Sequence, residues 1–345
     1  MRRGLDHRMV ESKDGADGRV FRELGAAEKW ELVDGVRRAV LRYRDAHPRD
    51  LGERERAWLV RIAAWTPAKL EQDEADFHRV YKPISILPPD QYRSLVVQVT
   101  EGCSYNRCLF CDFYRDRPFH IKSEHELTSH VAGLREWFGE RMADRSGVFL
   151  GDGNALTVPT DRLLRMIAHL RAALPASLFA GGIATFMDTF SLERKSEWEL
   201  SAVCAAGLDT VYVGFETGAD DLRRFLRKQG TAQEALAAMT ALKQAGFRLG
   251  VIVLVGAGGV RYASAHAKAT KDALATLPLT RGDLIYLSPF VEPRQTHYRE
   301  ALAAAGIEAL SPQALRAQYE TLRANLVAHH PDVKVTLYSL GQHLY

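Results

Sequence analysis

Cysteine is scarce in this chain, four in 345 residues, and three of the four fall within nine residues of one another. Three cysteines so close cannot form an ordinary disulfide framework, and reduced thiols in a cytoplasm fit best. Long hydrophobic runs are missing too. The longest, Leu249 to Ala257, is interrupted by glycines and is too short to span a bilayer. The start, Met1-Arg2-Arg3-Gly4-Leu5-Asp6, lacks the apolar stretch of a secretory signal. Excess charge of one sign is absent, since 46 basic and 43 acidic residues leave +3. So balanced a chain is not expected to bind nucleic acid. What is present, 46% hydrophobic and 26% charged residues, is the composition of a soluble globular enzyme with one large or two small domains.

Taken in order, residues 1 to about 20 are polar and expected to fray. Apolar residues then recur at helical spacing, in Leu32, Val36, Ala39, Val40 and Tyr43 and again in Trp58, Ile62 and Trp65. His47-Pro48 is expected to separate two helices and Thr66-Pro67 to open a third. Residues 1–90 thus read as a helical extension, a cap on the main domain. Lys82-Pro83 and Leu87-Pro88-Pro89 mark a linker. Six apolar strand-like runs follow, at 95–100, 148–150, 178–184, 210–215, 249–255 and 283–288, with helical stretches between them. That alternation predicts an α/β fold of parallel βαβ units over residues 91–300, with right-handed crossovers. Residues 301–345 carry a further helix, at 312–329, and a late strand, at 333–340, expected to pack on the barrel.

The cysteines stand in Gly102-Cys103-Ser104-Tyr105-Asn106-Arg107-Cys108-Leu109-Phe110-Cys111, a Cys-x4-Cys-x2-Cys loop directly after the first apolar strand. Soft thiolates select iron–sulfur clusters, zinc or cuprous copper. His120 offers a fourth ligand for a Cys3His zinc site, which would make the chain a zinc-stabilised barrel without redox chemistry. A redox pair of Cys108 and Cys111 is a third reading, and it leaves Cys103 idle. Cys204 sits in a helical pattern and reads as a small buried hydrophobe. Because the loop follows the first strand of a βα series, it falls on the C-terminal rim, where barrel active sites assemble.

Loop and placement together resemble the radical SAM superfamily, in its branch with the elongator catalytic subunit and oxygen-independent coproporphyrinogen oxidase. The usual spacing there is Cys-x3-Cys-x2-Cys with an aromatic before the last cysteine. Phe110 supplies the aromatic, and one extra residue separates Cys103 from Cys108. The resemblance implies a partial (β/α)6 barrel and a [4Fe–4S] cluster on Cys103, Cys108 and Cys111. It implies S-adenosylmethionine at the remaining iron, cleaved to a 5′-deoxyadenosyl radical by an electron from a flavodoxin- or ferredoxin-like donor.

It also implies a cofactor site along the rim. Gly151-Asp152-Gly153-Asn154 stands where relatives receive the methionine amino group, with Asp152 and Asn154 departing from the commoner Gly-Gly-Glu. Glu216, ending the fourth strand, corresponds to the residue that reaches the ribose. Lys228 is the choice for the methionine carboxylate, with Arg227 or Arg224 as alternatives. Leu254 and Gly256 fall where the fifth strand flanks adenine, and Gly259 replaces the usual glutamate. Thr185, Asp188, Tyr286, Ser288 and Glu292 are substrate candidates by position alone. No cysteine follows Cys204, which argues against auxiliary clusters. A single-cluster enzyme acting on a small organic molecule is expected, with an RNA-modifying enzyme docking through the Arg-rich segment 35–61 as the alternative.

Overall fold

The computed structural model describes residues 1–15, 18–47, 51–188 and 195–345. They fall into two compact units, one of residues 1–83 with 341–345 and the other of residues 84–340.

The first unit does not begin frayed. Strands β1 (Arg2–Arg3), β2 (Met9–Gly15) and β3 (Gly18–Glu23) form an antiparallel sheet in the order 1-2-3. The β2–β3 register runs from Val10↔Glu23 to Gly15↔Gly18. Composition hid this sheet, because strands so rich in charge carry no apolar face to read. Helices α1 (Ala26–Ala46), α2 (Glu53–Ala63) and α3 (Pro67–Val80) follow. The break expected at His47-Pro48 lies partly outside the described residues, since Pro48 is not among them. At α3, Thr66 accepts from Lys69 N (3.2 Å) and Pro67 takes the first helical position, where a missing N–H costs nothing. Leu70, Phe77 and Tyr81 are buried. Leu32, Val36, Tyr43, Trp58 and Ile62 are 37–55% exposed, so their periodicity marks helices without making a core.

The second unit opens with β4 (Leu95–Gln98) and a short antiparallel pair, β5 (Thr100–Glu101) and β6 (His120–Ile121), which closes the base of the cysteine loop. There follow α4 (Glu124–Phe138), β7 (Val148–Gly151), α5 (Thr160–Ala173), β8 (Ile183–Met187), α6 (Glu197–Ala205), β9 (Leu208–Glu216) and α7 (Asp220–Phe225). Then come α8 (Ala232–Gln244), β10 (Arg248–Val255), α9 (Gly259–Leu274), β11 (Leu284–Pro289), α10 (Tyr298–Ala304), α11 (Pro312–His329) and β12 (Lys334–Leu337). The third strand starts later than its apolar run, because residues 176–181 coil into a 3₁₀ turn after Pro175.

These strands form one parallel sheet in the order β4-β7-β8-β9-β10-β11-β12. The late strand is the seventh member of that sheet. Each new strand lies beside the last with helix in the crossover between them, and both faces are buried. Capping boxes fix several helix starts: Ser123 with Glu126, Ser196 with Glu199 and Thr231 with Glu234. Rings of Phe149 (β7), Phe186 (β8), Tyr212 (β9) and Tyr286 (β11) meet on the inner face of the sheet although they come from different strands. Gly250 of β10 makes this possible, since a Cβ there would lie 2.3 Å from the Tyr212 ring.

Candidate active site

The cysteine loop leaves β5 through Gly102, whose φ of +73° and whose closeness to Pro118 O (2.9 Å from an added Cβ) require glycine. From there it is pinned along its length. Asn106 takes φ +47° and donates from Nδ2 to Tyr114 O at 2.7 Å. The Arg115 guanidinium donates to Asn106 O and to Cys108 O (2.8 Å). Leu109 N reaches Leu226 O (2.9 Å), and Thr296 Oγ1 donates to Leu109 O (2.6 Å). A loop with this many backbone partners is preorganised.

Cys103, Cys108 and Cys111 are free thiols, each partly buried, and all three line one cavity of about 160 Å³ at the C-terminal rim. Burial pushes the Cys108 thiol up to about 11, opposed by the Lys228 ammonium, and pushes Cys111 up to about 12. Among the described residues, no three His, Cys, Asp or Glu side chains close on a single ion. His120 stays outside the group. It sits half-exposed on β6 with Nε2 3.0 Å from the Glu126 carboxylate and is not among the residues lining the cysteine cavity. Cys204, on α6, is not among the cavity residues.

The same cavity is lined by Phe110, Gly153, Glu216, Lys228 and Leu254 of the expected cofactor residues, and by Gly214, which sequence reading passed over. Lys228 Nζ lies 3.6 Å from Glu216 Oε1, with both side chains at least nine-tenths buried, and 5.8 Å from the Phe110 ring centre. Burial raises the Glu216 carboxyl pKa, against the lowering pull of Lys228 and Arg223. Gly214 leaves room for this pair, since an added Cβ would stand 2.5 Å from Glu216 Oε1 and 3.3 Å from Lys228 Nζ.

Arg223 holds that corner together and was not singled out from sequence, where Arg224 and Arg227 drew attention instead. It is 1% exposed. Its guanidinium donates to the carbonyls of Phe215 (2.8 Å), Thr217 (3.3 Å), Gln229 (3.2 Å) and Gly230 (2.9 Å). It therefore staples the end of β9, where Glu216 sits at φ +65°, to the segment just past Lys228. Arg224 is exposed and ion-paired to Asp221, and Arg227, at φ +52°, offers its carbonyl to Tyr105 Oη.

The glycine turn after β7 divides in two. Gly153 faces the cysteines, an added Cβ lying 2.8 Å from Gly102 O and 3.3 Å from Cys103 Cα. Gly151, Asp152 and Asn154 do not line the cavity. Asp152 is buried beneath the loop and accepts from Gln98 Nε2 (2.6 Å), Gly102 N (3.0 Å) and Arg117 Nε (3.1 Å). Asn154 donates to Asp188 Oδ2 (2.8 Å) and accepts from Leu156 N (2.8 Å). Their side chains are thus spent on building the loop. Gly256 turns away from the cavity toward α11, where its N–H meets Gln318 Oε1 at 2.7 Å.

Of the substrate candidates, Asp188 and Ser288 line the cavity. Thr185 is fully buried, its hydroxyl shared between Leu150 O and Phe186 O. Tyr286 points its hydroxyl to Asp90 (2.7 Å), and Glu292 is a surface partner of Arg299 (2.6 Å). Tyr338 and Phe290, which sequence reading did not select, complete the wall.

Residues 97–264, from β4 into α9, match the Radical SAM superfamily. Those residues carry a radical SAM domain, and members of that superfamily are enzymes that use a [4Fe–4S] cluster and S-adenosylmethionine for radical chemistry. No curated protein matches the chain. Among solved structures it is similar to coproporphyrinogen III oxidase (HemN) from Escherichia coli, at 16% identity and TM-score 0.49, over 68% of this chain and 52% of that one. It is also similar to HydG, a maturase of the [FeFe]-hydrogenase (16%, TM-score 0.48, 77% of this chain and 56% of that one). A third is Elp3 of the archaeon Methanocaldococcus infernus (11%, TM-score 0.44, 71% and 56%). The chain thus spans little more than half the length of each. Among the described residues, no helix is long and apolar enough to cross a membrane.

Proposed function

We propose that Cys103, Cys108 and Cys111 hold a [4Fe–4S] cluster and that the cavity beside them takes S-adenosylmethionine and a small organic substrate. One observation carries this: a single cavity at the strand ends is lined at once by three free thiols and a buried Lys–Glu pair. The donor set fits the cluster. Each of three irons takes its own thiolate, and three free thiols line the one cavity. When bound, cluster and cofactor supply a 5′-deoxyadenosyl radical on arrival of one electron from a flavodoxin- or ferredoxin-like donor.

The chain's own residues bind and orient. Lys228 and Glu216 neutralise each other at 3.6 Å, a looser contact than a good charge-assisted hydrogen bond. A ligand bearing a carboxylate and a ribose diol gives each a shorter partner, the carboxylate for Lys228 and the hydroxyls for Glu216. The methionine ammonium then falls to backbone near Gly153, since Asp152 and Asn154 are committed elsewhere. Leu254 offers an apolar side to the adenine. The remaining wall, with Ile86, Phe186, Phe290 and Val291 around Asp188 and Ser288, suits a mostly apolar substrate with one polar group. Hydrogen abstraction from such a molecule is the proposed reaction.

Anaerobic reconstitution with iron and sulfide tests the ligand assignment. The native chain should hold iron and sulfide in the proportion of a [4Fe–4S] cluster. The triple variant Cys103→Ala, Cys108→Ala, Cys111→Ala should hold none, and equal iron in both would refute it.

A further inference from the structure

Tyr338 follows β12 at the rim, lines the cavity and is fully buried. Among the described residues its hydroxyl has no hydrogen-bond partner. A buried O–H without a partner is destabilising. A phenol kept at that cost beside a reaction cavity calls for a use. Burial also raises its pKa, so the hydroxyl keeps its hydrogen.

Tyr338 is also the top of a column of rings. Its ring centre lies 5.3 Å from that of Tyr286, which lies 6.4 Å from that of Tyr212. Both inner tyrosines donate to one carboxylate, Tyr286 to Asp90 Oδ1 (2.7 Å) and Tyr212 to Asp90 Oδ2. Asp90 is exposed and stands before β4, at the opposite end of the strands from the cysteine loop. The column therefore runs from the cavity to solvent through the inner face of the sheet.

We propose that Tyr338 donates a hydrogen atom to carbon-centred radicals in the cavity and is restored through Tyr286 and the Asp90 carboxylate. This rests on the radical reading given above. In the transfer the Tyr338 O–H bond breaks and a C–H bond forms. The carbon radical gains one hydrogen atom, and Tyr338 is left as a neutral tyrosyl radical. A phenol O–H is weaker than an alkyl C–H, so transfer to a primary carbon radical runs downhill. Tyr338 is restored by one electron from Tyr286, whose phenolic proton passes to Asp90, and by one proton from bulk solvent. A one-electron donor of the flavodoxin or ferredoxin class, at the exposed end, then reduces Tyr286, and Asp90 returns the proton.

The test uses the reconstituted holoenzyme in D2O, reduced with S-adenosylmethionine and no substrate, with mass analysis of the 5′-deoxyadenosine formed. The native enzyme should place one deuterium in that product, drawn from the exchanged Tyr338 hydroxyl. Tyr338→Phe should lose the label while its thermal midpoint and iron content hold. Tyr286→Phe should keep the label and accumulate a tyrosyl signal in freeze-quench EPR. Equal label in native and Tyr338→Phe enzyme, with cofactor cleavage intact, would overturn the proposal alone. No 5′-deoxyadenosine from any form would overturn the radical reading and this proposal with it.

Discussion

Lys228 Nζ stands 3.6 Å from Glu216 Oε1, the two heads buried together on the cavity wall that also carries Cys108. Removing either partner strands a buried charge, a loss of about 3–5 kcal/mol. Lys228→Met should lose the larger share at pH 8 and recover part of it at lower pH, where Glu216, already raised by burial, takes up a proton. Glu216→Gln with Lys228→Met should destabilise less than the two single losses summed. Denaturant unfolding of the metal-free proteins gives the coupling, and a purely additive result would mean the pair does not act as one.

Arg223 supplies a second test. Methionine at that position removes the guanidinium donors to the carbonyls of Phe215, Thr217, Gln229 and Gly230. A loss of about 3 kcal/mol or more is expected from unfolding curves. Arg223→Lys should recover little, because an ammonium on a flexible stem cannot span four carbonyls as the planar fork does.

Gly153 tests the contact between the glycine turn and the cysteine loop. A Cβ there meets backbone atoms, Gly102 O at 2.8 Å and Cys103 Cα at 3.3 Å, so the loop must move. Gly153→Ala should keep its far-ultraviolet dichroism and bind less iron on reconstitution. Native iron content in this variant would show that the loop's position is not critical.

His266 makes the fold acid-sensitive. It is fully buried on α9, accepting at Nδ1 from Thr217 Oγ1 (2.7 Å) and donating from Nε2 to Leu254 O (2.8 Å), with Thr270 beside it. Burial lowers its pKa from 6.5 to about 4. Between those values the unfolded chain takes up a proton that the folded chain refuses, so stability falls as pH falls. The full loss by pH 4 is about 3 kcal/mol. His266→Gln should flatten the fall in thermal midpoint between pH 7 and pH 5. An unchanged slope would exclude His266 as its source.

Much of the frame is legible in the sequence because parallel strands buried on both faces read as unbroken apolar runs, as Val148–Leu150 and Leu249–Val255 do. The loop is legible because three cysteines in nine residues have few uses. Side chains that serve the site indirectly are not legible. Asp152 reads like a cofactor residue in the glycine turn, yet its carboxylate is spent on Gln98, Gly102 and Arg117. Only folding brings those three together. Arg223 looks like one more charge in Asp220–Lys228 until burial singles it out. The N-terminal sheet was missed because its strands are charged, and Tyr338 because nothing in sequence marks an unpartnered hydroxyl.

The central claim is tested most directly by mixing the reconstituted, reduced protein with S-adenosylmethionine under anaerobic conditions and measuring 5′-deoxyadenosine. The account predicts a brown protein that forms 5′-deoxyadenosine and methionine together, and a colourless triple cysteine variant that forms neither. A colourless native protein holding one zinc and leaving the cofactor intact would contradict it.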